Sequence, residues 1–361
     1  MALSRKFAFN VSAAAKETAY DTAQTIDNKI LVNLGTIPQE NVEVIDDNDL
    51  TGGTEEATGQ SVISRNVTYD VGISRVKPFA LGFFGAYGLG AHAVRAADTG
   101  SAASAMKQHS CTPVDNDGGM NSFTFEGDKD GTTKKKYSGG LISTFSVSIA
   151  RGANRMVSLD ASILASGTEV DAGSAQTEPS ETQLNAATAG AFLSTTALAS
   201  GEASAANRSQ NLAPATSDLS GSPTNLTSTL RSMTWDYDNG IDVDSLYRVG
   251  GGNTLAVGER VGRSQTLTLD FDWANDTEID RLVAQTEVSF QLLVQGPVSA
   301  EAGYYPGFNL IFPQLQYQTV EVVDDGGTLV NRVTMRVLDD AGGVHKSVYL
   351  DVFNTTATYM A

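Results

Sequence analysis

The chain has 361 residues, enough for a substantial buried core and, as a length, about two domains; it carries 42 Asp and Glu against 24 Lys and Arg, a formal net charge of -18. So negative a surface repels phosphate and excludes ordinary binding to DNA, RNA or anionic membranes, while a single cysteine, Cys111, excludes an internal disulfide and any zinc site built on cysteines. Hydrophobic residues at 41% and charged residues at 18% describe a chain that folds in water.

Residues 1–15 place Arg5 and Lys6 before an Ala-rich stretch, but Asn10 and Ser12 interrupt its apolar part, so it reads as protein and not as a signal peptide. Residues 41–59 are polar, acidic and Gly-rich, and residues 1–60 are expected to form an N-terminal arm with an extended loop. The first part of a β core is assigned to residues 61–164. Within it the uncharged run 78–94 is shorter than the roughly 20 residues of a membrane span. A helix is predicted after Lys77-Pro78, with Phe79, Phe83 and Tyr87 at a spacing of four and Gly85 to Gly90 ending it, short enough to be a lid. Alternation in Phe145, Val147, Ile149 and in Val157, Leu159, Ala161, Ile163 marks half-buried strands.

Residues 165–232 are dominated by Ala, Ser, Thr and Gly, with Phe192 the only aromatic between Phe145 and Trp235. That composition cannot build a core of its own and is read as a long insertion or surface excursion. The second part of the β core, residues 233–361, alternates again in Met233, Trp235, Tyr237, in Leu267, Leu269, Phe271, Trp273, and in Val288, Phe290, Leu292, Val294. The alternation points both tryptophans inward. Asn239-Gly240 signals a tight hairpin. A helix over 277–285 is predicted with Asn275 or Asp276 as N-cap and Ile279, Leu282, Val283 as its apolar stripe. The fold class is therefore mainly β, an antiparallel sandwich or barrel with one or two short flanking helices.

Sites of chemistry are sparse. His92, His109 and His345 lie far apart in the sequence, and no nucleophile-elbow, zincin or phosphate-loop motif occurs. Asp236, Asp238, Asp242 and Asp244 are the best oxygen-ligand cluster, yet their spacing misses the EF-hand loop, and acids on the wet face of a hairpin explain them as well. No cofactor is expected. Lys134-Lys135-Lys136, the one basic run, is either a solvated turn or a contact to an acidic surface of a neighbouring copy.

Three stretches carry a resemblance. Lys16-Glu17-Thr18-Ala19-Tyr20-Asp21-Thr22 is similar to an E-T-x-Y-G-T opening, with Asp21 in place of the usual Gly. Asn121-Ser122-Phe123-Thr124-Phe125-Glu126, leading to Tyr137-Ser138-Gly139-Gly140, is similar to S-F-T-V-E followed by Y-x-G. Met233 to Gly240, Arg260-Val261-Gly262, Phe312-Pro313-Gln314 and the close at Asn354-Thr355 and Tyr359 follow in order. Together they resemble the major tail tube proteins of long-tailed, siphovirus-type bacteriophages and related archaeal tailed viruses.

The resemblance implies a sandwich of tail-tube type, made in the host cytoplasm and assembled into the virion as stacked hexameric rings. The implied partners are further copies of itself, the tape measure, distal tail and terminator proteins, and genomic DNA passing without tight binding; no membrane insertion is implied. Asp46, Asp47 and Asp49, with Lys134, Lys135 and Lys136, are the inter-subunit contact candidates. Two other readings fit the residues: a surface-exposed or secreted β-sandwich adhesin, and a β-sandwich glycoside hydrolase, which would need exposed aromatic platforms beside two carboxylates.

Overall fold

The computed structural model describes residues 8–33, 37–46, 59–96, 105–114, 119–128, 134–149, 155–166, 169–170, 176–196, 198–205, 208, 217–243, 246–247, 255, 260, 262–296, 304–340 and 342–361. All ladders are antiparallel, and they group into two large sheets and a small one.

Sheet 1 runs in the order β3 (Gln39–Asp46), β4 (Gln60–Ile73), β9 (Val157–Ala165), β8 (Lys134–Ile149), β13 (Leu230–Asp238), β14 (Ser264–Asp272), β17 (Thr328–Val337) and the later half of β16 (Gly307–Asp325). Sheet 2 runs β12 (Thr224–Asn225), β11 (Ala189–Ser194), β15 (Glu287–Gln295), the first half of β16, β18 (Tyr349–Asn354), β6 (Lys107–Pro113) and β5 (Gly90–Ala96). β16 thus belongs to both sheets and turns the corner at a register shift between Tyr317 and Thr319. The small sheet is β2 (Asn28–Leu31), β1 (Ala8–Val11), β7 (Phe123–Asp128), the first half of β8 and β10 (Glu169–Val170).

The sandwich core holds the inward phase of the alternating strands: Phe145, Val147, Leu159, Trp235, Leu267 and Leu269 are all buried. Trp235 packs edge-on to Phe145 and Phe312, with ring centroids 5.1 and 5.5 Å apart, tying sheet 1 to sheet 2. Trp273 departs from the expectation. It follows the last residue of β14 and stands 38% exposed, since the pleat no longer dictates its direction once the strand has ended.

Helix α1 (Pro78–Leu89) is buried on every side, which makes it the filling of the sandwich and not a lid. Gly85 and Gly88 lie inside it instead of ending it. A Cβ on Gly85 would meet Leu350 of sheet 2 at 2.6 Å, and one on Gly88 would meet Phe145 of sheet 1 at 2.7 Å. The helix backbone therefore touches both layers only because those side chains are missing. Gly90, at φ 93, supplies the left-handed cap.

The short helix α2 (Thr277–Val283) lies beside β16, and the Asn275 side chain accepts from the Thr277 amide. Its expected apolar stripe is only partly used. Leu282 packs on the core, whereas Ile279 is 36% and Val283 79% exposed. The contact is polar instead: Glu278 is buried, accepts from the Tyr317 hydroxyl and pairs with Arg281 at 2.7 Å.

The described residues of the Ala/Ser/Thr-rich segment are not a surface excursion. β11 pairs with β15 along its whole length, Leu184, Leu193 and Leu226 enter the main core, and Phe192, Leu198 and Leu219 close over the outer face of sheet 2 against Leu293, Ile311, Tyr349 and Phe353. The segment needs no core of its own because it completes two that the rest of the chain supplies. Arg208 fastens it: the guanidinium is 1% exposed, forms a two-pronged ion pair with Asp351 at 2.7 and 2.8 Å, reaches the Ser110 hydroxyl and lies 4.2 Å from the Tyr349 ring centre.

Candidate functional site

The outward phase of sheet 1 is built from short polar side chains in cross-strand rows. One row holds Asp70, Ser162, Thr144, Asp238 and Ser264. The next holds Gly72, Asp160, Ser146, Asp236, Thr266 and Arg336, and a third Ser158, Ser148, Thr234, Thr268 and Thr334. The Asp70 carboxylate accepts from Ser162 at 2.6 Å, and Ser148 and Ser158 share a hydrogen bond of 2.7 Å. Across these rows four carboxylates face one guanidinium, that of Arg336 at the far strand. Such a face binds water well and offers phosphate almost nothing.

Asp236 and Asp238 belong to this wet face. The Asp238 carboxylate accepts from the Gly240 amide at 2.7 Å, and Asp242 is exposed beyond the strand end; Asp244 lies outside the described residues. Among the described residues no group of three or more His, Cys, Asp and Glu side chains is placed to hold a metal ion. The expected tight Asn-Gly hairpin does not form. β13 and β14 pair, but residues 239–263 separate them, and Asn239 turns inward to donate to the Gly88 and Ile142 carbonyls at 2.9 and 2.8 Å.

The basic run opens strand β8 and is not a turn. Register sets Lys134 opposite Asp128 and Lys136 opposite Glu126, and the Lys135 ammonium meets the chain's own Glu40 at 2.5 Å. That contact, with the Tyr137 hydroxyl, holds the Glu40 carboxyl below its usual range. Asp46 ends β3, in a ribbon described below, while Asp47 and Asp49 lie outside the described residues.

The structure brings together two histidines that are 17 residues apart. His92 Nε2 and His109 Nδ1 are 3.0 Å apart in stacked rings against Tyr359, and burial lowers them to about 4 and about 3. They stay neutral, away from the polar face. His345 holds the Leu198 carbonyl at 3.0 Å.

Glu17 joins three motifs that are distant in the sequence. Buried at 5% exposure, it accepts from Ser122 and Thr124 hydroxyls, both at 2.7 Å, and from the Gly139 amide at 3.0 Å. Burial raises its carboxyl above the ordinary range against the pull of those donors. Asp21, where the related pattern has Gly, sits at φ 63, a conformation that Asp tolerates, and its carboxylate accepts from Ser138 at 2.5 Å and Ser166 at 2.6 Å. The substitution gains two hydrogen bonds for the left-handed turn.

Sequence reasoning missed Arg208, Glu181 and the rows around Asp70 and Asp160. Only the rows had a readable signal, the polar phase of the alternating strands.

A family model described as phage tail tube protein matches residues 10–321, a span that contains Glu17 and its donors and nearly all of sheet 1. No curated protein matches the chain. No helix among the described residues is long and apolar enough to cross a membrane. With most of its length matched, the chain belongs to the phage tail tube protein family.

Proposed function

We propose that this chain is the non-enzymatic subunit of a viral tail tube of the long-tailed type, six copies forming a ring and the rings stacking around a lumen through which genomic DNA is ejected. The observation that carries this reading is the outer face of sheet 1, with its rows of Asp, Ser and Thr; its guanidiniums, Arg336 and the Asp270-paired Arg332, both stand on β17 towards one margin. Turned inward, that face gives DNA a hydrated wall that neither binds nor brakes it, because lasting contact with the backbone needs Lys and Arg.

Beyond Gln316 the second edge of β16 has no strand partner among the described residues, and β3 is the other margin of the sheet. These two edges suit strand addition between ring-mates. Residues 41–59 and 127–136, with the Asp46, Asp47, Asp49 and Lys134, Lys135, Lys136 candidates, carry contacts between rings. The tube's ends receive the terminator and distal tail proteins, and its lumen receives the tape measure before DNA. The finished subunit resides in the virion, after synthesis in the host cytoplasm.

The test replaces Asp70, Asp160, Asp236 and Asp238 together by Lys. Negative-stain images are expected to show tubes on the order of 100 Å wide with either chain, while virions built from the Lys variant eject DNA more slowly or stall. Unchanged ejection kinetics would reject this face as the lumen wall.

A further inference from the structure

β9 pairs with β4 only from Val67 onward, so residues 60–66 and their β3 partners run beyond it as a ribbon with no third strand among the described residues. Seven extended residues project about 20 Å. Register keeps Val42, Val44 and Val62 on the face that continues the buried Val67 and Tyr69, yet these valines are 50%, 50% and 43% exposed. A ribbon of two strands with an open apolar face does not sustain itself in water. Its described residues carry Glu43 and Asp46, and its one base, Arg65, is paired with Glu40.

At the opposite end of the same sheet, where Ile73, Ile149, Val157 and Met233 stand, a cavity of about 540 Å³ opens between sheet 1 and β11. Ile149, Met233 and Leu292 form its floor. Ala186, Ala187, Ala189 and Ala191 form one wall, and their short side chains leave the space. Arg155 and Arg231 also line it. Arg231 is paired with Asp272 and Asp325, whereas Arg155, exposed at φ 39, has no carboxylate partner among the described residues.

We infer that the β3–β4 ribbon of one copy seats in this cavity of a second copy displaced along the strand direction. Valines meet the apolar floor and the alanine wall, and the acidic ribbon meets Arg155. Donor and acceptor lie at opposite ends of one molecule, so the contact is heterologous and repeats without closing, which stacks copies indefinitely. The inference rests on the tube reading above and adds the receptor that the reading lacks.

Cysteine pairing tests it, because the native Cys111 is fully buried and silent. A chain carrying both Val44→Cys and Ala187→Cys is expected to give a ladder of disulfide-linked dimers, trimers and longer species on a non-reducing gel, at least tenfold above either single variant. Val44→Asp, and separately Ala189→Trp to fill the cavity, are expected to leave rings and to abolish tubes. Tubes that form normally with no ladder, or with the Val44→Asp chain, overturn the cavity as receptor while leaving the tail-tube subunit standing. A wild-type chain that forms neither rings nor tubes overturns both.

Discussion

Sheet 1 and sheet 2 are built from the same kind of strand and solve opposite problems. In sheet 1, β9 and β14 alternate buried and open positions, so one face is dry and the other is free to display carboxylates and hydroxyls. In sheet 2, all six residues of β18, the first seven of β16 and Val288 to Val294 of β15 are buried, so both faces are dry. The second dry face is not purely apolar. Gln291 and Asn309 donate to Asp218 at 2.8 and 3.0 Å, and Asp351 holds Arg208, so these buried polar groups are satisfied by the covering segment. A sheet with one wet face displays its polar groups to solvent directly; a sheet with two dry faces needs a cover, and that cover can be poor in large apolar residues because it borrows its core from the strands beneath.

The largest expected effect breaks the cover at its fastening. Arg208→Ala leaves the fully buried Asp351 without its counter-charge and is expected to cost about 3–5 kcal/mol in denaturant unfolding. Arg208→Met with Asp351→Leu should recover much of that loss, since the apolar pair leaves no orphaned charge. A single loss below about 1 kcal/mol would show that the segment is held by packing alone.

Next come matched truncations on the two outer faces. Leu293→Ala, under the cover, is expected to cost about 2–5 kcal/mol, whereas Thr268→Ala, on the wet face of sheet 1, should stay within about 0.5 kcal/mol. Equal losses in thermal or chemical unfolding would erase the distinction between the faces.

The smallest effect is a pH dependence at the segment's other anchor, where the Glu181 carboxylate accepts from the Phe79 amide at 2.7 Å at the start of α1. Burial pushes this carboxyl up from 4.5 to about 7, against the pull of that amide and of Lys77. A folded value above the unfolded one means that the native state holds the proton more tightly. The associated stability is complete below about pH 4.5 and is lost as pH rises through about 7. Glu181→Gln should therefore gain on wild type between pH 5 and 8, by on the order of 1–3 kcal/mol. A constant difference across that range would remove Glu181 as the titrating group.

Much of the architecture is legible before any coordinates. Alternation places Phe145, Val147, Trp235, Leu267 and Leu269 correctly, because a half-buried strand writes its pleat into the residue order. What alternation hides is a second dry face: Ser289, Gln291 and Asn309 are polar in sequence and buried in the fold, their cost met by partners far along the chain. The same limit applies to α1, whose glycines read as helix breakers until the neighbours they admit are seen. Glu17 is legible only as part of a motif, since its donors Ser122, Thr124 and Gly139 lie more than a hundred residues away. On the candidate site, the polar phase of β13 and β14 is visible at once, while its continuation through Asp70 and Asp160 depends on a strand order that residue types do not reveal.

β16 carries one more consequence. Nineteen continuous residues serve both sheets, so a pull on one layer reaches the other along covalent backbone and along ladders loaded in shear, many hydrogen bonds at a time. The apolar interface between the layers, which resists sliding poorly, is relieved of that load. A subunit wired in this way responds to load as one piece.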